Sequence, residues 1–132
     1  MTVIDASALT SYLLREPNYE RVGSYLQIGA VSIELVFKET ANAILTAYRL
    51  GRIDRSSLLA ELKALSKMMP IIETDSQEKI IDKAAELALN TGLTIYDSLY
   101  IVLAKERGLP LLTGDKQQAK IAERKGVKVI EL

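Results

Sequence analysis

The sequence contains no cysteine and no histidine, and these two absences remove more chemistry than any other feature of its composition. They exclude thiolate nucleophiles, disulfide staples, the usual zinc sites and imidazole general bases. Tryptophan is also missing, and one phenylalanine with six tyrosines offers little aromatic surface for stacking on bases. Neither sign of charge is in excess. Seventeen basic residues balance seventeen acidic ones, so the molecule lacks the broad positive field of a strong nonspecific nucleic-acid binder, and any contact with a polyanion must come from a local patch. No apolar run is long enough to span a membrane, and the start, MTVIDASAL, carries neither a basic segment nor a cleavage site. The expectation is a soluble cytoplasmic protein with no membrane contact.

What is present is a chain of 132 residues, 48% of them apolar, enough to build one domain around one sizeable core. Short apolar runs at Thr2 to Asp5, Ala30 to Ile33, Ile71 to Ile72, Leu109 to Thr113 and Val127 to Ile130 read as strands. Between them lie helical patterns: Ala6 to Arg15, stopped by Pro17; residues 19 to 27; Leu35 to Leu50, closed by Gly51; and a helix capped by Asp54 or Ser56 that runs to Met69. Ser76 opens another, ending at Asn90, Thr91 and Gly92, and Thr94 opens the next, through Arg107 to Gly108. Lys116 to Lys125 is the last. Strands alternating with helices predict crossover connections and a central parallel sheet of four to five strands with helices on both faces, a three-layer α/β sandwich.

Asp5 and Asp115 each follow a strand and precede a helix, where a carboxylate has an ordinary duty as N-cap. Asp97 lies three residues after Thr94 and resembles the acid of a capping box. The fold gives them a second meaning. In a parallel sheet all strand-to-helix turns lie on one edge, so these acids gather where such folds bind ligands. Glu39 is different, because it sits inside a helix with no capping duty. The apolar stripes Phe37, Ala41, Ile44, Tyr48 and Val36, Ala43, Ala47, Leu50 flank it, leaving Glu39 and Asn42 to share a narrow polar face. A buried carboxylate needs a partner, and a divalent cation shared with other acids is one; an exposed glutamate on a solvated strip is the plainer alternative. Glu34 is a weaker rival, too close to the strand end.

Four segments, VIDASAL around Asp5, KETANAI around Glu39 and Asn42, LTIYDSLYIVLA around Asp97 and LPLLTGDKQ around Thr113 and Asp115, occur in an order and spacing that resembles the PIN-domain family. Within it the chain looks like the small single-domain ribonucleases typified by VapC toxins, and the likeness runs its whole length. Ser98 stands where the family often has alanine, a departure with no chemical consequence. The resemblance implies an acidic pocket for Mg²⁺ or Mn²⁺ and metal-dependent cleavage of RNA to products with a 5′-phosphate and a 3′-hydroxyl. It implies that Asp5, Glu39, Asp97 and Asp115 are direct or water-mediated ligands, with Asn42, Thr113 and Ser7 in support. It further implies a homodimer and a cognate antitoxin whose C-terminal segment occupies the groove near the acids.

The residue types suit that chemistry. Mg²⁺ and Mn²⁺ prefer oxygen donors and retain several waters, so missing histidines and cysteines are no handicap. Clustered carboxylates repel one another and raise some of their own proton affinities until a cation enters. Substrate phosphates then need cations beside the acids, and Lys38 and Lys116 adjoin Glu39 and Asp115, though both also fit ordinary solvated surface. Tyr12, Tyr19 and Tyr25 suit either base stacking or core packing. The apolar run Leu99 to Ala104 and the two stripes around Glu39 suggest surplus hydrophobic surface and self-association. Three rivals stand beside this reading: a noncatalytic PIN-like scaffold, an RNA-processing nuclease that is not a toxin, and a receiver-like signalling module. The last conflicts with Asp5 being followed by Ala6 and with the absence of a lysine after a final strand at VKVIEL.

Overall fold

The computed structural model describes residues 1–132. Five strands, β1 (Thr2–Ile4), β2 (Ala30–Ile33), β3 (Glu73–Asp75), β4 (Leu111–Thr113) and β5 (Val129–Glu131), form one sheet in the order β3-β2-β1-β4-β5. Every pairing is parallel, with Val3 opposite both Val31 and Leu111 in the centre. The inner strands β1, β2 and β4 are buried along their whole length, which is why they read as continuous apolar runs rather than alternating ones. The one hydroxyl among the buried residues of β2, Ser32, donates to the carbonyl of Ile4 at 2.7 Å.

Seven helices make the crossovers: α1 (Ala6–Leu13) and α2 (Tyr19–Ile28), α3 (Leu35–Arg49) and α4 (Arg55–Met68), α5 (Ile81–Thr91) and α6 (Ile95–Arg107), and α7 (Lys116–Arg124). The chain steps outward from β1 to β3, then returns across the sheet to β4. With right-handed crossovers this puts α1 to α4 on one face and α5 to α7 on the other, as the packing of α1 on α3 and of α6 on β1, β2 and α7 shows. The reversal of direction lies between β1 and β4, so the carboxyl ends of those two strands flank the crevice where ligands enter such sheets. Asp5 and Asp115 stand there.

Local chemistry sets the helix ends. Asp54, rather than Ser56, caps α4 by accepting from the Ser57 amide at 2.7 Å. Helix α1 stops at Leu13, two residues short of the expected Arg15, and Arg15 itself takes a left-handed φ of 53°. The third strand is displaced from expectation. Ile71 and Ile72 precede it, and the strand is the charged triplet Glu73, Thr74, Asp75, paired with Val31 to Ile33. An edge strand has one side free of neighbours and needs no apolar pattern; this one is held by Arg107, which bridges to Glu73 at 3.0 Å and to Asp75 at 2.5 and 2.8 Å. Ser76 opens a single 3₁₀ turn, Gln77–Lys79, and the helix proper starts beyond Ile80.

Helix α6 corrects the premise of surplus hydrophobic surface. Ser98 to Ala104 are all buried within this one chain, between the sheet and α5, so that run leaves nothing over for a partner. The stripes on α3 are also narrower than expected: Val36, Thr40, Ile44 and Ala47 face inward, whereas Tyr48 and Leu50 are exposed. Tyr12 and Tyr25 pack against the core. No single helix is long and apolar enough to cross a membrane.

Arg107 fixes β3 through two carboxylates, and it holds the Asp75 carboxyl below the usual range through direct hydrogen bonds. Arg107→Ala is expected to cost about 1 kcal/mol in urea denaturation, in keeping with a partly exposed bidentate pair. The β3 amides should then exchange faster than those of β1. The exposed pair Lys83 and Glu106 serves as the control, where Lys83→Ala should cost under about 0.5 kcal/mol.

Candidate active site

Asp5 is the buried member of the site. As the N-cap of α1 it accepts from the Ala8 amide at 2.9 Å and the Ser7 hydroxyl at 2.7 Å through one oxygen. Its second oxygen lies 2.5 Å from the Thr113 hydroxyl at the end of β4. Thr113 is buried and accepts the Asp115 amide at 3.0 Å, so one hydroxyl ties the ends of β1 and β4 to the start of α7. Asp115 caps α7 through a single oxygen, which takes the amides of Gln117 and Gln118. Its other carboxylate oxygen has no capping role.

Asp97 occupies the first turn of α6. Thr94 accepts the Asp97 amide at 3.1 Å, but no bond returns from the Asp97 carboxylate to the Thr94 amide. The capping box is therefore only half formed, and the carboxylate is left for the cleft. Glu39, one turn into α3 on the opposite face of the sheet, is half-buried and receives the Tyr100 hydroxyl at 2.6 Å. Asp5, Glu39, Asp97 and Asp115 all line one cleft of about 430 Å³, together with Ser7, Tyr100 and a further acid, Glu16. No lysine or arginine lines it.

The acids feel one another. Burial, then the like charge of Asp97, raises the proton affinity of Glu39; burial, then Asp115, raises that of Asp97. Asp5 is pushed up to about 6, chiefly by burial, with Asp97 adding to it against three opposing hydrogen bonds. Proton counting favours the same direction. The Thr113 hydroxyl has one proton and faces two acceptors, Asp5 at 2.5 Å and the Gln118 side-chain oxygen at 2.9 Å. Gln118 keeps that orientation because its amide nitrogen donates to the Asp97 carbonyl at 3.0 Å. Only when Asp5 is protonated does every contact in the chain have its proton.

The oxygen-only donor set, the mutual repulsion and the lack of a lining cation fit a divalent ion. No three of the acids come together tightly enough to ligate one ion between them. An ion here would take one or two carboxylates directly and reach the rest through water, the habit of Mg²⁺.

The remaining expected residues divide. Ser7 and Thr113 join the network directly. Asn42 does not: it is exposed and outside the cleft lining, because a three-residue step from Glu39 turns it away while the four-residue step brings Ala43 in. Glu34 is exposed and caps nothing, and Lys38 and Lys116 are exposed and outside the lining. Three contributors went unread. Tyr100 was hidden in an apolar run, although it follows Asp97 by one helical turn. Gln118 is a fully buried amide on a face otherwise made of Ala119, Ile121 and Ala122, and that polar interruption was the available signal. Glu16 lies in a loop, where periodicity says nothing.

Comparison with known proteins gives the family and the fold. Residues 2–124 match the PIN domain, and the chain belongs to the PIN-domain family. It is 31% identical over 121 residues to Ribonuclease VapC3 of Pyrobaculum aerophilum, covering 89% of this chain and 92% of that protein. Exonuclease VapC9 of the same organism is 29% identical over 129 residues, with 98% and 90% covered. The crystal structure of PAE2754 from Pyrobaculum aerophilum superposes with a TM-score of 0.74 at 25% identity, across 98% of this chain and 87% of that one.

The proton affinity of Asp5 has a consequence for stability. Its carboxyl moves from 3.8 to about 6 on folding, so between those values the folded state holds the proton more tightly than the unfolded chain. Stability of the chelator-treated protein is expected to be full below pH 4 in this respect and to fall, by on the order of 3 kcal/mol, as pH rises through 6. Asp5→Asn supplies the missing hydrogen-bond donor to Thr113 permanently. Thermal melts in chelator should show the Asp5→Asn variant more stable than the parent at pH 8, with no such advantage at pH 4.

Proposed function

We propose that this protein is a metal-dependent endoribonuclease, the toxin of a toxin-antitoxin pair. The observation that carries the reading is the convergence of acids from both faces of the sheet on one cleft that no basic residue lines. Family membership and nuclease relatives support it.

The chain's own residues divide the work. Asp97 and Asp115 present oxygens that capping does not use, and these would hold Mg²⁺ or Mn²⁺ together with Glu39 and, through its fixed position, Asp5. Tyr100 keeps its proton, since burial and then Glu39 raise its affinity, and so remains a donor that pins one Glu39 oxygen and leaves the other for the cleft. Gln118 holds the backbone of Asp97 at a set distance from Thr113. A bound ion would supply a water of lowered pKa and positive charge against the oxygens of the scissile phosphate. The burial of Asp5 and the partial burial of Glu39 lower the local dielectric and strengthen the charge interactions made there. The resemblance of the motifs adds three further proposals: a homodimer, a cognate antitoxin that restrains the enzyme, and a cytoplasmic location.

The relatives' names divide between exonuclease and ribonuclease, so the substrate must distinguish ends from interior. Labelled mixed-sequence RNA, circular and linear, is incubated with purified protein and Mn²⁺ or Mg²⁺, with chelator as control. The circle should be opened only with metal. Asp97→Asn should cut more than about 100-fold more slowly, beyond the usual loss for an outer-shell partner, while Glu34→Gln should match the parent. Cutting confined to linear RNA would make the enzyme an exonuclease; no cutting of either with metal bound would contradict the proposal.

A further inference from the structure

The acid cleft is not blind. A second concavity of about 430 Å³ adjoins it and shares Thr10, Glu16 and Ala43 with it, so the two form one trough between α1 and α3. The second half has an apolar floor of Leu14, Ala43, Ala47 and Ile53, and its one cation is Arg52. A third concavity meets the trough at Glu16 and carries Arg15 and Arg21. Arg21 is engaged with the Glu131 carbonyl, whereas the side chains of Arg15 and Arg52 make no ion pair or hydrogen bond. Their backbones are nevertheless held: the Arg52 amide donates to Ala47 at 2.9 Å and the Arg15 amide to Tyr12 at 3.2 Å. Arg15 keeps a left-handed φ that a non-glycine residue adopts at a cost. The Thr10 hydroxyl, at the junction, is buried and has no partner.

We propose that RNA leaves the acid cleft along this trough as a single strand, with phosphates held by Arg52 and Arg15 and an unpaired base lying on the apolar floor. The inference rests on the nuclease reading and adds the route that its substrate takes. Phosphates repelled by the acids need cations close by but outside the cleft, and these two arginines are the unpaired cations of the concavities that meet it. A base offers its face to an apolar floor only when it is unstacked, so a duplex is excluded by the same surface. The rival route is the solvent face of α7, where Lys116, Lys120 and Arg124 are exposed without ion pairs. The exposed residues of that face, Lys116, Gln117, Lys120, Glu123 and Arg124, are all polar, and Glu123 stands among the cations. The face offers phosphate contacts but no seat for a base.

The test measures binding of a fluorescent mixed-sequence 12-nucleotide RNA, and of a blunt hairpin duplex, to full-length Asp97→Asn protein across a series of salt concentrations. In that background, Arg15→Gln with Arg52→Gln is compared with Lys116→Gln, Lys120→Gln and Arg124→Gln. Both sets are exposed, and circular dichroism checks their folding. The arginine pair should weaken single-strand binding at least tenfold and lower the slope of log affinity against log salt by about 1.4, two phosphates at about 0.7 each. The α7 set should change affinity less than threefold, and the duplex should bind more weakly than the single strand. An unchanged slope in the arginine variant, or a loss confined to the α7 set, overturns the trough while parental RNA cleavage persists. Absence of both cleavage by the parent and RNA binding overturns the nuclease reading itself.

Discussion

The Thr113 hydroxyl touches Asp5, Gln118 and the Asp115 amide, and lies within 3.4 Å of Ser7 as well. It sits at the end of β4, beside the point where the chain reverses its direction across the sheet. Through it the end of β1, the end of β4, the first turn of α7 and, by way of Gln118, the first turn of α6 are locked into one frame. A hydroxyl can do this because its oxygen accepts up to two hydrogen bonds while it offers a single proton. Burial is the chief cause of the high proton affinity of Asp5, and the single Thr113 proton, facing both Asp5 and Gln118, offsets it only in part.

Sheet topology and electrostatics thus act in opposition and in concert. Parallel strand order brings carboxylates from α1, α3, α6 and α7 to one edge, where burial and mutual repulsion penalise their charges. The scaffold tolerates this through short, directed contacts: two helix N-caps, the Tyr100 hydroxyl and the Gln118 amide. None of these partners is a full positive charge. The acids of the cleft are thus held without an internal ion pair, and the nearest lining cations, Arg52 and Arg15, stand in the adjoining concavities.

Much of this was legible in the sequence, for reasons particular to each residue. Asp5 and Asp115 followed buried apolar strands, so their place at one sheet edge came directly from the alternation of strands and helices. Glu39 was legible as an acid with no capping duty. Asn42 was misplaced because a shared polar strip on an unplaced helix does not reveal which side meets the cleft, and the turn from residue 39 to 42 proved decisive. Strand β3 was shifted because Glu73 and Asp75 answer to Arg107, more than thirty residues away, and no local pattern encodes that pairing. Tyr100 and Gln118 act across the sheet as well, through contacts with Glu39 and Thr113 that exist only once the layers are stacked. The run through Ala104 was correctly apolar but wrongly taken as surplus, since only packing shows that α5 covers it.

The central claim is that this cleft binds a divalent cation, and the most direct measurement is the melting temperature of chelator-stripped protein titrated with Mn²⁺ at pH 5 and at pH 7.5. The account predicts a rise of several degrees at saturating metal, larger at pH 7.5 than at equal Mn²⁺ at pH 5, because at the lower pH the ion must displace the Asp5 proton. The rise should vanish when Asp97 and Asp115 are both replaced by asparagine. No rise at either pH, or an equal rise in that double variant, would contradict it.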